Sequence, residues 1–220
     1  LVAVGAVVVA LLWVITVPQQ IPKEEEEEDG GGKEPKKAVF WMFAAMMGLY
    51  FIGEHGIMNW LMSYCISAFA MDSGQASLSL SLFWGGMTAG RLLLAPVVQY
   101  LGTKKSLGLF GGIGTAMFCA GCVLGSKGIL ILGGSGFVLS ILYPTMVLLI
   151  QEIYPGHLAA TRTGAIISIA TIADIVFNLL FGMAAKIWGY GVSFMIMPVC
   201  MVGFYLLFLN LQRSIGKARP

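Results

Sequence analysis

The chain has 220 residues, of which 58% are hydrophobic and only 11% are charged, and its mean hydropathy is +0.86. A soluble domain carries about 45–50% apolar and about 25% charged residues, so this composition excludes an ordinary water-soluble globule. The formal net charge is only +2, without the clustered basic face of a nucleic-acid-binding protein, so no nucleic-acid partner is expected. We therefore expect an all-α polytopic membrane protein.

Apolar stretches of membrane-crossing length follow one another along the chain, separated by short polar breaks. They predict seven transmembrane helices, because a helix that crosses the hydrocarbon core needs about 20 residues. The predicted spans are 1–17, 38–62 with a less regular extension to Ala70, 77–98, 106–125, 128–150, 162–185 and 189–211. Since the chain opens inside the first span and shows no signal-peptide features, we expect a fragment of a longer protein.

The one strongly charged segment separates the first span from the other six. It contains an unbroken acidic run, Glu24 to Asp29, followed by glycines and lysines. This pattern is typical of a flexible linker, and a functional acidic segment is the alternative. The predicted domains are a single helix (1–17), the acidic linker (18–37), a six-helix transmembrane domain (38–211) and a tail (212–220).

The positive charges predict the orientation of the chain in the membrane, because Lys and Arg are retained on the cytoplasmic side. With the linker placed inside the cell, only Lys127 and Lys186 of the 13 Lys and Arg residues lie outside. We therefore expect an integral protein of the plasma or cell membrane whose linker, tail and C-terminus are cytoplasmic.

Ionisable residues at membrane depth cost about 2.5–3.5 kcal/mol each on insertion scales, so each indicates a partner, a water-filled cavity or a function. Glu54 and His55 lie a little past the middle of the 38–62 span, among three glycines that weaken the helix. A helix opened at this point would bring Asn59 and Trp60 into the same pocket. The alternative is a Glu54–His55 pair that only packs helices, with Trp60 at the membrane interface.

A polar stripe runs along the 162–185 span. Ser168, Thr171, Asp174 and Asn178 recur at helical spacing, which places them on one face. The alternative to a cavity lining is hydrogen bonding between helices, worth about 0.6 kcal/mol per bond. Such bonds account poorly for a carboxylate at the middle of the membrane, so we expect this face to line a cavity.

A candidate gate lies in the 77–98 span and the loop that follows it. Gly86 and Gly90 form a small-xxx-small face that allows a neighbouring helix to approach closely. Arg91 can extend towards the cytoplasm and, together with Lys104, hold the inward side shut by pairing with a helix C-terminus or a carboxylate. The alternative is that the lysines of this loop only fix the topology.

Catalytic and metal signatures are weak throughout. Cys119 and Cys122 form a CxxC inside an apolar helix without a second pair, which is typical of small packing residues. Neither a hydrolase motif nor a nucleotide-binding loop occurs in the sequence. We expect no enzyme activity, no bound metal and no cofactor other than a coupling ion.

Four motifs carry a family resemblance. They are, in chain order, Tyr50-x3-Glu54-x5-Trp60, Phe83-Trp84 followed by Gly86-x3-Gly90-Arg91 and Pro96, Gly102-Thr103-Lys104-Lys105, and Tyr143-Pro144-Thr145. Together they resemble major facilitator superfamily transporters, and above all the fucose–galactose–hexose symporter group with its sodium-dependent glucose transporter relatives. Ile52-Gly53 stands where that group tends to have Gly-Ala before the acid.

The resemblance implies the C-terminal six-helix half of such a transporter, preceded by one helix. Residues 1–17 correspond to span six, 18–37 to the central cytoplasmic loop and 38–211 to spans seven to twelve. It implies alternating access against a missing N-terminal six-helix half, with proton- or sodium-driven symport of a sugar or similar small polar solute. Trp60 would stack on a sugar face. The candidate substrate- and ion-binding residues are Glu54, His55, Asn59, Trp60, Tyr143, Asp174 and Asn178, and the candidate gating residues are Gly86, Gly90, Arg91 and Lys104.

Two other functions fit parts of the pattern. A seven-helix receptor has the same topology, with its N-terminus outside and its C-terminus inside. A transporter-like bundle without transport activity would use its polar groups only for packing. The sequence leaves both open, although a receptor predicts a complete chain.

Overall fold

The computed structural model describes Pro35 and residues 37–216. The predicted span 1–17, most of the linker and the end of the tail lie outside the described residues. Within the described part the chain is helical and contains no strand, which confirms the all-α expectation. Its helices are α1 (Lys37–Phe69), α2 (Ser73–Leu101), α3 (Thr103–Val123), a 3₁₀ helix (Gly125–Gly128), α4 (Ile129–Leu139), α5 (Leu142–Ile153), α6 (Gly156–Phe194) and α7 (Ile196–Gly216).

Six helical stretches of the described region are long and apolar enough to cross a membrane. They are α1, α2, α3, the stretch Gly125–Ile153 that contains α4 and α5, α6, and α7 as far as Ile215. Each overlaps one of the last six predicted spans. The less regular apolar extension after the first of them is helical to Phe69 and ends at Ala70, whose φ is positive at 51°.

Two glycines with the same backbone conformation mark turns between successive membrane spans. Gly102 separates α2 from α3 with φ 78° and ψ 157°, and Gly189 interrupts α6 with φ 78° and ψ 158°. This region of backbone space is essentially restricted to glycine. Gly189 therefore marks the true turn between the last two spans, at the position where the sequence predicts the start of the 189–211 span.

The fourth span is broken at residues 140–141, between α4 and α5. In an unbroken α-helix the Ser140 carbonyl would accept a hydrogen bond from residue 144, but that residue is Pro144 and has no N–H. The freed carbonyl accepts a hydrogen bond from Nε of Arg91 on α2, at 3.4 Å. The neighbouring Leu139 carbonyl accepts one from the Tyr50 hydroxyl on α1, at 2.9 Å. The break thus supplies two backbone acceptors to side chains of other helices.

The small-xxx-small face of α2 packs directly against the backbone of α4. A Cβ added at Gly86 would lie 3.0 Å from the Phe137 backbone nitrogen. One added at Gly90 would collide with the Phe137 carbonyl oxygen and the Ser140 hydroxyl. The close approach expected from these glycines is therefore present, and α4 is the helix that makes it.

The glycines of α1 also serve packing. The sequence predicts a helix loosened at its middle, but α1 runs without interruption from Lys37 to Phe69. A Cβ at Gly56 would lie 2.7 Å from Cε of Met197, and one at Gly53 would meet the side chain of Met201, both on α7. The absence of side chains at these positions lets α7 lie close to α1, so no local unwinding is needed.

Candidate functional site

The polar residues of α1 and α6 form a hydrogen-bond network between the two helices, termed here the α1–α6 network. Nδ1 of His55 lies 2.7 Å from Oδ2 of Asp174. Asn178 donates through Nδ2 to Oδ1 of Asp174, at 2.9 Å, and to its backbone carbonyl, at 3.0 Å. Oδ1 of Asn178 accepts from Nε1 of Trp60, at 2.9 Å, and from Nδ2 of Asn59, at 3.1 Å. Five of the seven predicted binding residues therefore share one network.

The helical spacing of these residues explains how they meet. His55 and Asn59 are four residues apart on α1, and Asp174 and Asn178 are four apart on α6, so each pair stands on one helix face. The two faces meet at matching heights. Asp174 is only 8% exposed, and both of its carboxylate oxygens have a hydrogen-bond partner, as a buried charge requires.

A second feature is an open cavity of about 420 Å³ beside the network. His55 belongs to both, and two of the other predicted binding residues, Glu54 and Tyr143, line the cavity as well. The complete lining is Phe51, Glu54, His55, Met58, Trp84, Arg91, Tyr143, Ile167 and Thr171. The cavity therefore brings together carboxylate, imidazole, guanidinium, phenol and indole groups near the middle of long apolar helices.

Glu54 is the most deeply placed ionisable residue of the cavity, since only 3% of it is exposed. Tyr50, one helical turn earlier on α1, is close enough to interact with its carboxylate. Arg91, His55 and Asp174 all lie within electrostatic range of Glu54. The Glu54 carboxylate thus faces one permanent cation and one group that can become a cation.

Arg91 lines the cavity, and the structure shows it bonded to the carbonyl of Ser140. This carbonyl belongs to the residue that caps the end of α4, at the break within the fourth span, and the inward gate expected of Arg91 stays a prediction. The guanidinium is held beside Glu54, where the sequence had suggested an extension towards the cytoplasm. Gly86 and Gly90 lie behind it, at the contact with α4.

Lys104 lies apart from the cavity, at the end of the bundle where α3 begins and α7 ends. Its backbone carbonyl accepts a hydrogen bond from Nε2 of Gln212, at 3.2 Å, and it lines a pocket of about 110 Å³ with Glu152. The hydroxyl of the preceding Thr103 donates to the Glu152 carboxylate. These contacts connect α3 with α5 and α7 at this end.

Trp60 has a different environment from the one expected of a sugar platform. Its ring packs against Phe181, with centroids 4.9 Å apart, and against Tyr190, at 6.2 Å, while its N–H is bonded to Asn178. Trp60 is not among the residues that line the cavity. The indole in the cavity is Trp84 on α2, which is 48% exposed.

Comparison with protein families identifies the bundle. The model described as Major Facilitator Superfamily matches residues 1–178 of this sequence. The chain belongs to the Major Facilitator Superfamily. The family expected from the sequence motifs is thus confirmed, and with it the expectation of an integral membrane protein.

Solved transporters of this superfamily share the fold. The structure is similar to that of the superfamily transporter FucP in the outward conformation, with a TM-score of 0.69 and 17% identity over 96% of this chain and 52% of FucP. A variant of the E. coli fucose:proton symporter FucP gives a TM-score of 0.68 and 18% identity over 93% of this chain and 52% of that one. The chain spans about half the length of these transporters, and no curated protein matches its sequence.

Some residues that line the cavity are not predicted from the sequence. Trp84 belongs to a family motif but carries no predicted binding role, and Phe51, Met58 and Ile167 belong to no motif. Phe51 stacks on the His55 ring, with centroids 5.0 Å apart, and also contacts Tyr143, at 5.6 Å. A signal for Phe51 was available in principle, because it lies one residue beyond Tyr50 and four before His55 on α1.

Proposed function

We propose that this chain is the C-terminal half of a secondary transporter that moves a sugar or similar small polar solute by alternating access. The superfamily assignment supports the transporter class, and the similarity to FucP supports a fold made of two such halves. Movement of the solute would be coupled to a proton or sodium ion. The partner of this half is the N-terminal six-helix half. Both lie in the cell membrane, with the 18–37 linker and the C-terminus on the cytoplasmic side.

The cavity is the observation that carries this proposal. Its volume of about 420 Å³ lies within the range of about 300–1,000 Å³ that small-molecule sites occupy. Glu54 can accept hydrogen bonds from solute hydroxyl groups and Arg91 can donate to them, while Trp84 offers an aromatic face to C–H groups. This combination of charge and aromatic surface suits a polyhydroxylated solute better than a purely apolar one.

In this arrangement the α1–α6 network positions the cavity wall and does not bind the solute through all of its members. Asn59 and Trp60 both donate to Asn178, and all three residues lie outside the cavity lining. Glu54, His55 and Tyr143 face the cavity. Arg91 joins them, with Gly86 and Gly90 holding α2 against α4 so that its position is fixed.

Uptake by the full-length protein in proteoliposomes tests this function, with radiolabelled L-fucose, D-galactose and D-glucose as probes. Glu54→Gln should weaken solute affinity by about tenfold to a hundredfold, because a hydrogen bond to a charged group is worth about 1.5–3 kcal/mol. The control is Asp72→Asn, which makes the same chemical change at the N-cap of α2, where Asn also caps well. Unaltered uptake and affinity in Glu54→Gln would contradict the site.

A further inference from the structure

His55 occupies the junction between the cavity and the α1–α6 network. Its side chain is 35% exposed, and its ring stacks on Phe51 at the cavity wall. Its Nδ1 is bonded to Asp174, whose side chain is only 11% exposed. One ring nitrogen therefore belongs to the helix contact, and the exposed part of the ring belongs to the cavity.

The donor and acceptor roles of this pair follow from the chemistry of the carboxylate. An ionised Asp174 can only accept, so the proton between the two groups resides on Nδ1 and is donated to Oδ2. Nε2 is then the basic nitrogen of the neutral ring. Among the described residues nothing hydrogen-bonds to Nε2, so this nitrogen remains available to take a proton from water in the cavity.

The charges around His55 favour the addition of one proton. Asp174 faces it from α6 and Arg91 from α2, Glu54 is its neighbour on α1, and Tyr143 on α5 lines the same cavity. From α7 the side chains nearest this part of α1 are uncharged methionines. Two carboxylates and one guanidinium leave one negative charge uncompensated. A proton makes the group neutral, which lowers the cost of holding it in the membrane, and the His55 side chain is 35% exposed to receive it whereas Glu54 is only 3% exposed.

A sodium ion fits this group of residues poorly. Alkali and alkaline-earth cations take oxygen ligands, and both side-chain oxygens of Asp174 already accept N–H donors. Glu54, the other carboxylate, lies near the Arg91 guanidinium. A sodium ion would have to share these oxygens with the donors already bonded to them, whereas a proton adds to Nε2 without competing with any donor.

We propose that His55 is the proton-binding residue of this half, and that it takes and releases the coupling proton at Nε2 while Nδ1 remains bonded to Asp174. This inference rests on the proposed function and decides between its two coupling ions. The proton passes to Nε2 from a hydronium ion in the cavity, so an O–H bond breaks as the N–H bond forms and a water molecule is left, and release to the opposite side reverses the step. A charged imidazolium bonds more strongly to a carboxylate than a neutral ring does, so protonation tightens the contact between α1 and α6.

The network carries this change away from the cavity. Asp174 is bonded to Asn178, and Asn178 is bonded to Trp60 and Asn59 further along α1. Proton binding at His55 therefore acts on a network that joins α1 and α6 at two places, at Asp174 and at Asn178. A solute site and a helix contact that share one titrating group are the elements that coupling requires.

Transport by the full-length protein in proteoliposomes provides the first test, with the three labelled sugars as probes. We expect a proton gradient to drive uptake and a sodium gradient at equal pH on both sides to have no effect. His55→Gln keeps a donor for Asp174 but cannot hold the proton, so gradient-driven uptake should fall to the level without a gradient. Exchange of labelled for unlabelled sugar, measured in parallel, shows whether solute binding is lost with it. The control is His157→Gln, the other histidine of the chain, which is exposed at the start of α6.

Two results would overturn the proposal and leave the transporter function intact. They are uptake driven by sodium, and proton-driven uptake that persists in His55→Gln. If His55→Gln loses exchange as well, Asp174→Asn decides, because it removes the charge that favours the imidazolium and retains the shape of the side chain. Proton-driven accumulation that is unchanged in Asp174→Asn would then refute the proposal.

A measurement without solute separates this inference from the proposed function. Diethyl pyrocarbonate modifies neutral imidazole, so mass spectrometry of the treated full-length protein reports the protonation of His55 against that of His157. We expect modification of His55 to rise as the pH is raised through the range in which histidines titrate. If none of the sugars is transported but His55 shows this rise, the solute is wrong and the proton site stands. A rate at His55 that does not change with pH, while that at His157 does, would refute the proton site.

Discussion

Asn178 is the position at which the α1–α6 network can be tested most directly. It makes two hydrogen bonds to α1, from Nε1 of Trp60 and Nδ2 of Asn59, and it donates to Oδ1 of Asp174 on its own helix. Asn178→Leu removes all of these bonds and leaves a side chain of similar length. We expect the variant to fold and to be less stable.

The magnitude follows from the bonds that are lost. Hydrogen bonds between membrane helices average about 0.6 kcal/mol, and a buried acceptor left without its donor costs about 1–3 kcal/mol. The loss of the two bonds to α1 and of the donor to Oδ1 of Asp174 therefore costs about 2–4 kcal/mol in total. For a domain of this size each kcal/mol shifts the midpoint of thermal unfolding by about 2–4 °C, so we expect a fall of at least about 4 °C.

Thermal unfolding of the full-length protein in detergent, followed with a thiol-reactive dye, measures this fall. Cys65 and Cys122 are buried free thiols that become reactive as the bundle opens. Asn210→Leu is the matched control, because Asn210 is exposed on α7 and changes in helix propensity in the same way. Equal midpoints in the two variants, with solute affinity lost only in Asn178→Leu, would refute the structural role of the network and place Asn178 in direct contact with solute.

Two further substitutions test the packing and the cavity. Gly90→Ala places a methyl group against the Phe137 carbonyl and should lower the free energy of unfolding by about 1–3 kcal/mol in the same assay. Gly85→Ala is the control and should cost nothing measurable, because nothing lies within 4 Å of its added Cβ. Equal effects of the two substitutions would contradict the close α2–α4 contact. Trp84→Ala should lower sugar affinity by about tenfold, equivalent to about 1.4 kcal/mol, and Trp84→Phe should retain most of the affinity. The control is Trp188→Ala, because Trp188 is exposed on α6. An equal loss of affinity in Trp188→Ala would show that Trp84 is not a specific binding surface for the sugar.

Hydropathy and helical periodicity were sufficient to predict the six spans of the described region and the shared face of Asp174 and Asn178. They could not predict which residue of α1 meets Asp174. The sequence suggested Glu54 and His55 as a pair, yet His55 bonds to a carboxylate 119 positions away. That pairing depends on how α1 is rotated against α6, with which it is in contact at Gly48 and Ala170, and an average of hydrophobicity along a helix does not record this rotation.

Trp60 and Trp84 also show that the sequence does not reveal which side chains face the cavity. Both are aromatic residues in apolar helices, and composition alone gives no reason to prefer one as a solute platform. The structure distinguishes them by their neighbours, since Trp60 has Phe181 and Tyr190 around its ring while Trp84 is half exposed in the cavity. Motif spacing therefore selects helices that line the cavity, whereas which side chains face the cavity depends on their neighbours on other helices.

The break between α4 and α5 links backbone geometry to the charge of the cavity. Pro144 frees the Ser140 carbonyl, and this carbonyl fixes the guanidinium of Arg91. The Leu139 carbonyl, one residue earlier, fixes the hydroxyl of Tyr50, which lies one turn from Glu54. A change in the bend at residues 140–141 would therefore move groups near both charges of the cavity at once. A solute that contacts Glu54 and Arg91 would favour the backbone geometry at residues 140–141 that best suits these contacts. Its binding energy would then act on the shape of the fourth span.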